Sequence, residues 1–188
     1  MSKGAASIGI IGGADGPTSV FIAGKQKPKL RERIRRALYM RKRRRVEAGI
    51  ASAPHTLEEV VVYIQEKYRG MEVSKESFDY QEQKRCLRES LIFEHRPELG
   101  SKRAAEVSDE EFPMDFHIYE IVVPEKGSLQ VCIETVWERF GVSYSGDKKK
   151  MKHLGKIARD LYSYYGVTEE DIRSRSVRFS VLAAALCQ

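Results

Sequence analysis

An α+β fold, with a small antiparallel β-hairpin packed with several helices behind a flexible glycine-rich segment and a basic helix, is what three features of the sequence predict. Thr56 with Glu59 three residues on is a capping box, after which Leu57, Val60, Val61, Ile64 and Tyr68 recur at helical spacing. Asp147 caps a second such run, with Met151, Leu154, Ile157, Ala158, Leu161 and Tyr165 on one face, closed by Gly166. Between the two, residues 114–123 and 129–133 are rich in β-branched and aromatic side chains. They are separated by a Pro-, Lys- and Gly-containing turn at 124–128, which makes a hairpin.

Taken in order, residues 1–24 are a glycine-rich segment in which Gly12, Gly13, Gly16 and Pro17 break regular structure around Asp15. Residues 25–49 form a basic amphipathic arm: Pro28 suits a first helical turn, and Leu30, Ile34, Ala37 and Leu38 make a thin apolar stripe among arginines. Residues 50–55 have no periodicity, so the boundary of the globular body, residues 50–188, falls there. Gly70 ends the first body helix, and 71–73 is a very short strand. A second helix is expected to begin at Ser74, turn Phe78, Leu87, Leu91 and Ile92 inward and close at Pro97. Residues 100–111 read as an exposed loop, 137–141 as a packed segment around Trp137 and Phe140, and 141–147 as another loop. Thr168 with Asp171 opens the last helical region, whose apolar residues run through Val181, Leu182, Ala185 and Leu186.

Composition excludes whole classes. With 32% charged and 41% apolar residues, a globular body with a real core is expected, not a disordered or integral membrane protein. Cys86, Cys132 and Cys187 are far apart and form no Cys-x-x-Cys pair, so a reducing cytoplasm is the expected compartment. The formal charge of +6 is unevenly shared: residues 25–45 hold 12 Lys or Arg against Glu32, a net +11, which leaves −5 for the chain after Arg45. The basic character is a property of one segment and not of the body. A helix so charged fits nucleic acid, an anionic membrane surface, a protein partner, or a solvated arm docked on an acidic patch of its own body, and Arg35, Arg36, Arg41, Lys42, Arg43, Arg44 and Arg45 are the contact residues for nucleic acid or an anionic surface. Docking on lipid would add membrane association to the cytoplasmic expectation. The first 24 residues fit neither a signal peptide nor an anchor, since glycines, Asp15 and Pro17 interrupt the apolar run.

The stretch from Ser7 to Lys25 contains Gly-Gly-Ala-Asp-Gly-Pro-Thr at residues 12–18. Over about residues 7–29 it resembles the glycine-rich signature of the membrane β subunit of sodium ion-translocating decarboxylases, and the likeness stops near Leu30. The resemblance implies a sodium ion as ligand, with Asp15 and Thr18 as its oxygen donors, and an association with a sodium-pumping decarboxylase. One carboxylate, a hydroxyl and a few carbonyls hold sodium weakly, because water competes at every open position. A translocator must surround the ion with packed helices, which this chain does not supply, so it is not expected to transport sodium by itself.

No catalytic constellation emerges from the remaining residues. A phosphate-binding loop would need Gly and Lys where Ile11 and Pro17 stand, and the dinucleotide-binding glycine spacing is absent. His55, His95, His117 and His153 lie on separate elements. Asp115 and His117 share one face of the hairpin strand, where a carboxylate raises the basicity of an imidazole, but no nucleophile accompanies them. Tyr144, Tyr162, Tyr164 and Tyr165 near Lys148, Lys149, Lys150 and Lys152 suggest base stacking with phosphate contacts, against which stands a reading as core tyrosines beside solvated lysines. The sequence therefore points to an accessory or interaction protein, with nucleic-acid binding or peripheral membrane docking through residues 1–45 as alternatives, and an enzyme as the least supported class.

Overall fold

Alternation along the central strands divides their apolar side chains between two faces, and helices cover both. The computed structural model describes residues 8–10, 20–22, 30–100 and 106–187. Its sheet has four antiparallel strands in the order β3 (Met71–Glu72), β4 (Phe116–Val123), β5 (Gly127–Glu134) and β6 (Arg139–Tyr144). β1 (Ile8–Ile10) and β2 (Val20–Ile22) form a separate antiparallel pair, with Ile8 opposite Ile22. Six helices are described: α1 (Leu30–Gly49), α2 (Leu57–Tyr68), α3 (Phe78–His95), α4 (Lys148–Tyr165), α5 (Glu169–Ser174) and α6 (Val177–Cys187). The fold is α+β.

On one face of the sheet Tyr119, Ile121, Leu129, Val131 and Ile133 pack with Leu57, Val60 and Ile64 of α2 and with Leu154, Ala158, Leu161 and Tyr165 of α4. On the other, Phe116 and Ile118 meet Tyr80 of α3, whose hydroxyl donates to the Phe116 carbonyl at 2.6 Å. The strand period of two carries this division: 116 and 118 point one way, 119 and 121 the other, with the reversal of apolar parity in mid-strand. Fully burying side chains of this size contributes roughly 1.5–3 kcal/mol each, so the two faces supply most of the driving force.

Both expected capping boxes are present, at Thr56/Glu59 and at Thr168/Asp171, and the Asp147 carboxylate accepts from the backbone N–H groups of Lys149 and Lys150. The hairpin turn places Glu125 at φ 62° and Gly127 at φ 104°.

Several expectations are corrected. Residues 139–144 are a third meander strand, not a packed segment and a loop: Gly141 pairs with Cys132 in mid-ladder, and Phe140, Val142 and Tyr144 pack on the core. α3 starts at Phe78 behind the cap Ser77, because residues 74–77 form a turn closed by the Ser77 N–H on the Ser74 carbonyl. Phe78 accordingly points outward, 80% exposed, and Tyr80 takes the inward position. α3 ends at His95, and Pro97 opens a single 3₁₀ turn at Pro97–Leu99. The segment read as an exposed loop buries Val107, which packs with Phe112, Leu91 and Ile92. Arg69 in the left-handed region closes α2, one residue before Gly70. Arg175, also left-handed, splits the last helical region into α5 and α6. Residues 50–55 are pinned to the end of α4 by the Ala53 N–H on the Val167 carbonyl and the His55 N–H on the Tyr165 carbonyl, both 3.1 Å.

Candidate anion interface

α1 meets the body only through its C-terminal half. Arg43, Val46, Glu47 and Ile50 are half-buried, at the i, i+3, i+4 and i+7 spacing of one helix face, and Ile50 packs against Val167, Phe179 and Leu182. Arg43 Nε donates to Glu47 at 2.7 Å, which raises the guanidinium's proton affinity further, and Glu47 also faces Arg175 at 3.9 Å. Lys42 Nζ donates to the Cys187 carbonyl in the last turn of α6. α6 carries no cation of its own there, so Lys42 supplies the positive charge that the helix's negative end favours.

This docking sorts the seven cations read from the sequence. Lys42 reaches the end of α6 and Arg43 pairs with Glu47 of its own helix, whereas Arg35, Arg36, Arg41, Arg44 and Arg45 are exposed with no such partner among the described residues. Roughly half a turn from the docked face, Leu30, Ile34 and Leu38 project outward at 71%, 53% and 62% exposure, beside Arg41 and Arg45. No side chain of α1 is fully buried, so its hold on the body is confined to the half-buried face. Asp15 and Thr18 lie outside the described residues.

The pair Asp115 and His117 does come together. His117 Nε2 lies 2.9 Å from an Asp115 carboxylate oxygen, and Nδ1 lies 2.6 Å from one of Glu72. Glu72 was invisible in the sequence because it arrives from β3, whose register sets it opposite Tyr119. Thr135 donates to Asp115 at 2.7 Å, and this bond, with that from His117, holds the Asp115 carboxyl below its ordinary range. With a carboxylate beside each ring nitrogen, the imidazole ties β3 to β4.

The tyrosines are likewise committed to structure. Tyr165 is buried under the Arg178 guanidinium, 3.6 Å from its ring centroid, and Tyr162 accepts the Val142 N–H at 3.1 Å. Tyr164 stacks between His55 and Tyr63, with centroids 4.0 and 3.7 Å away. Asp160 collects the hydroxyls of Tyr63 and Tyr68, both at 2.7 Å, and Lys67 Nζ at 2.8 Å. Glu134, which sequence reasoning missed, is structural: it is fully buried and accepts the backbone N–H groups of Asp115 and Trp137, and Trp137, expected to pack, stacks on Phe112 at 4.6 Å.

Among the described residues no group of His, Cys, Asp and Glu is arranged to hold a metal ion, and no helix is long and apolar enough to cross a membrane. No family model, curated protein or solved structure matches the chain.

Proposed function

We propose that this chain is a non-catalytic accessory or interaction protein, and that α1 is its docking element for a polyanionic partner. The observation that carries this reading is the division of α1: the C-terminal half is fastened to the body by Val46, Glu47 and Ile50, while Arg35, Arg36, Arg41, Arg44 and Arg45 stay exposed. A helix fixed at one end holds its cations in a defined array, which reduces the ordering cost of binding a charged surface.

Nucleic acid is the partner this arrangement supports best. Together with Arg31 and Arg33, the exposed arginines surround the helix on most sides, which suits a cylinder entering a groove between phosphate rows more than a helix lying on a plane. About six phosphate contacts would make affinity fall roughly a thousandfold between 50 and 200 mM salt. Fluorescence anisotropy with a labelled duplex across that range tests it, because salt-insensitive binding or no binding removes nucleic acid as the partner. Transport of sodium by this chain alone forms no part of the reading. Proteoliposomes containing only this protein are expected to show the flux of empty vesicles, and flux above that level would contradict the assignment.

A further inference from the structure

A second concentration of positive charge sits on the acidic body, away from α1. The turn joining β4 to β5 faces the start of α4 across a cleft of about 470 Å³, within the size range of small-ligand sites. Lys126 lies on the turn side, and Lys149, Lys150, Lys152, His153 and Lys156 line the helix side. Lys149, Lys152, His153 and Lys156 fall at i, i+3, i+4 and i+7, on one face of α4. The turn is seated on the helix where Gly127, at φ 104°, leaves a β-carbon position only 3.9 Å from Leu154, so the two walls are held together by the core.

The local sequence works against the helix here. Acids open α2 (Glu58, Glu59) and α5 (Glu169, Glu170, Asp171), as the positive end of a helix favours, but α4 begins with three lysines and no acid in its first turn. Lys152 and Lys156 add a like-charge i, i+4 pair, which is also unfavourable. None of Lys126, Lys149, Lys150, Lys152 and Lys156 has an ion-pair partner among the described residues. Two carboxylates, Glu125 and Asp147, line the same cleft, and five ammonium groups against two carboxylates leave a net +3 with His153 neutral. The Asp147 carboxylate is engaged by the Lys149 and Lys150 backbone N–H groups, so the helix amides are already satisfied and only side chains remain to meet a ligand.

We propose that this cleft binds a compact polyphosphate anion, recognised through its closely spaced negative charges. The lining is dominated by ammonium groups, with no Phe, Tyr or Trp and His153 as its one ring, so charge and not base stacking is its main means of recognition. The concave form between turn and helix suits a short anion better than an extended strand. This site is independent of α1 and survives the failure of the reading given for that helix.

Calorimetric titration of the full chain with inorganic tripolyphosphate tests the proposal. Saturable binding is expected, weakened at least about tenfold in the double variant Lys152→Gln/Lys156→Gln and with a shallower salt dependence there. Lys75→Gln, an exposed lysine outside the cleft, should leave the affinity within twofold of the parent. ATP should bind no more than a few-fold tighter than tripolyphosphate, since the lysines meet its phosphates and the cleft lining holds no Phe, Tyr or Trp for its base. Equal thermal midpoints for the three proteins establish that the substitutions leave the fold intact. Absence of saturable binding, or equal affinity in the double variant, would overturn the proposal. So would an oligonucleotide whose binding depends on Lys152 and Lys156 while that of tripolyphosphate does not, since this would reassign the cleft to nucleic acid.

Discussion

Gly166 is the residue on which the joint between α4 and the following chain turns. Its φ of 61° is left-handed, and a β-carbon there would lie 2.1 Å from the Ala53 carbonyl oxygen, backbone that is itself held by the Val167 carbonyl. The Gly166 and Tyr165 carbonyls both accept from Arg178, at 2.8 and 2.6 Å, so the joint has little room to relax. Gly166→Ala is expected to destabilise by about 3 kcal/mol, from backbone strain and overlap together. Thermal unfolding should record a midpoint lower by roughly 6–12 °C. An unchanged midpoint would show that residues 50–55 are not fastened there.

Acid sensitivity also belongs to single residues. Burial alone would push the Asp160 carboxyl up, but the hydrogen bonds from Lys67, Tyr68 and Tyr63 outweigh it and hold the group below its ordinary value. Asp115 is held down chiefly by the Thr135 hydroxyl. A carboxyl with a lower pKa folded than unfolded contributes stability that is fully present above the unfolded value of about 3.9 and is lost as pH falls through the folded value. Denaturant midpoints should therefore be level from pH 7 to about 5 and drop below pH 4. Asp160→Asn should make that drop shallower, by on the order of 1 kcal/mol or less because the side chain is over a third exposed. A variant with the parent's acid profile would show that the Asp160 hydrogen bonds do not favour its charged form.

At the scale of elements, α1 is an appendage and the rest is core. Ile50→Ala should loosen the helix without melting the body, raising amide exchange in residues 43–49 while the sheet keeps its protection. Charge reversal at Arg41, Arg44 and Arg45 should leave the thermal midpoint nearly unchanged, since exposed substitutions usually fall within about 0.5 kcal/mol. How far such elements were legible in the sequence depended on whether their signals were local. Caps were: Thr56, Asp147 and Thr168 each meet partners two or three residues away, and all three hold in the structure. β6 carries its signal too, since Phe140, Val142 and Tyr144 alternate with Arg139, Gly141 and Ser143 and all three pack on the core, but a glycine at 141 resembles the end of a segment until the pairing with β5 is seen. Phe78 looked like a core residue because size was read as burial, whereas the turn from Ser74 to Ser77 shifts the start of the helix and rotates that side chain into solvent.

For the whole molecule, the same distinction separates the sites. The charge run of the arm was legible because it is contiguous, but which of its cations stay exposed depends on Glu47 and on the carbonyl end of α6, over 140 residues away. The second carboxylate beside His117 and the opposing wall of the lysine cleft likewise exist only after the sheet has formed. The result is an acidic body with a basic helix fastened along one side, and its catalytic-looking residues are occupied in holding strands and helices together. The most direct test of α1 as the docking element is duplex binding by the full chain at 50 and 200 mM salt, alongside the triple variant Arg41→Glu/Arg44→Glu/Arg45→Glu. The account expects affinity to fall about a thousandfold with salt in the parent and to be lost in the variant at equal thermal stability. Binding that ignores salt, or that survives the three reversals, would contradict it.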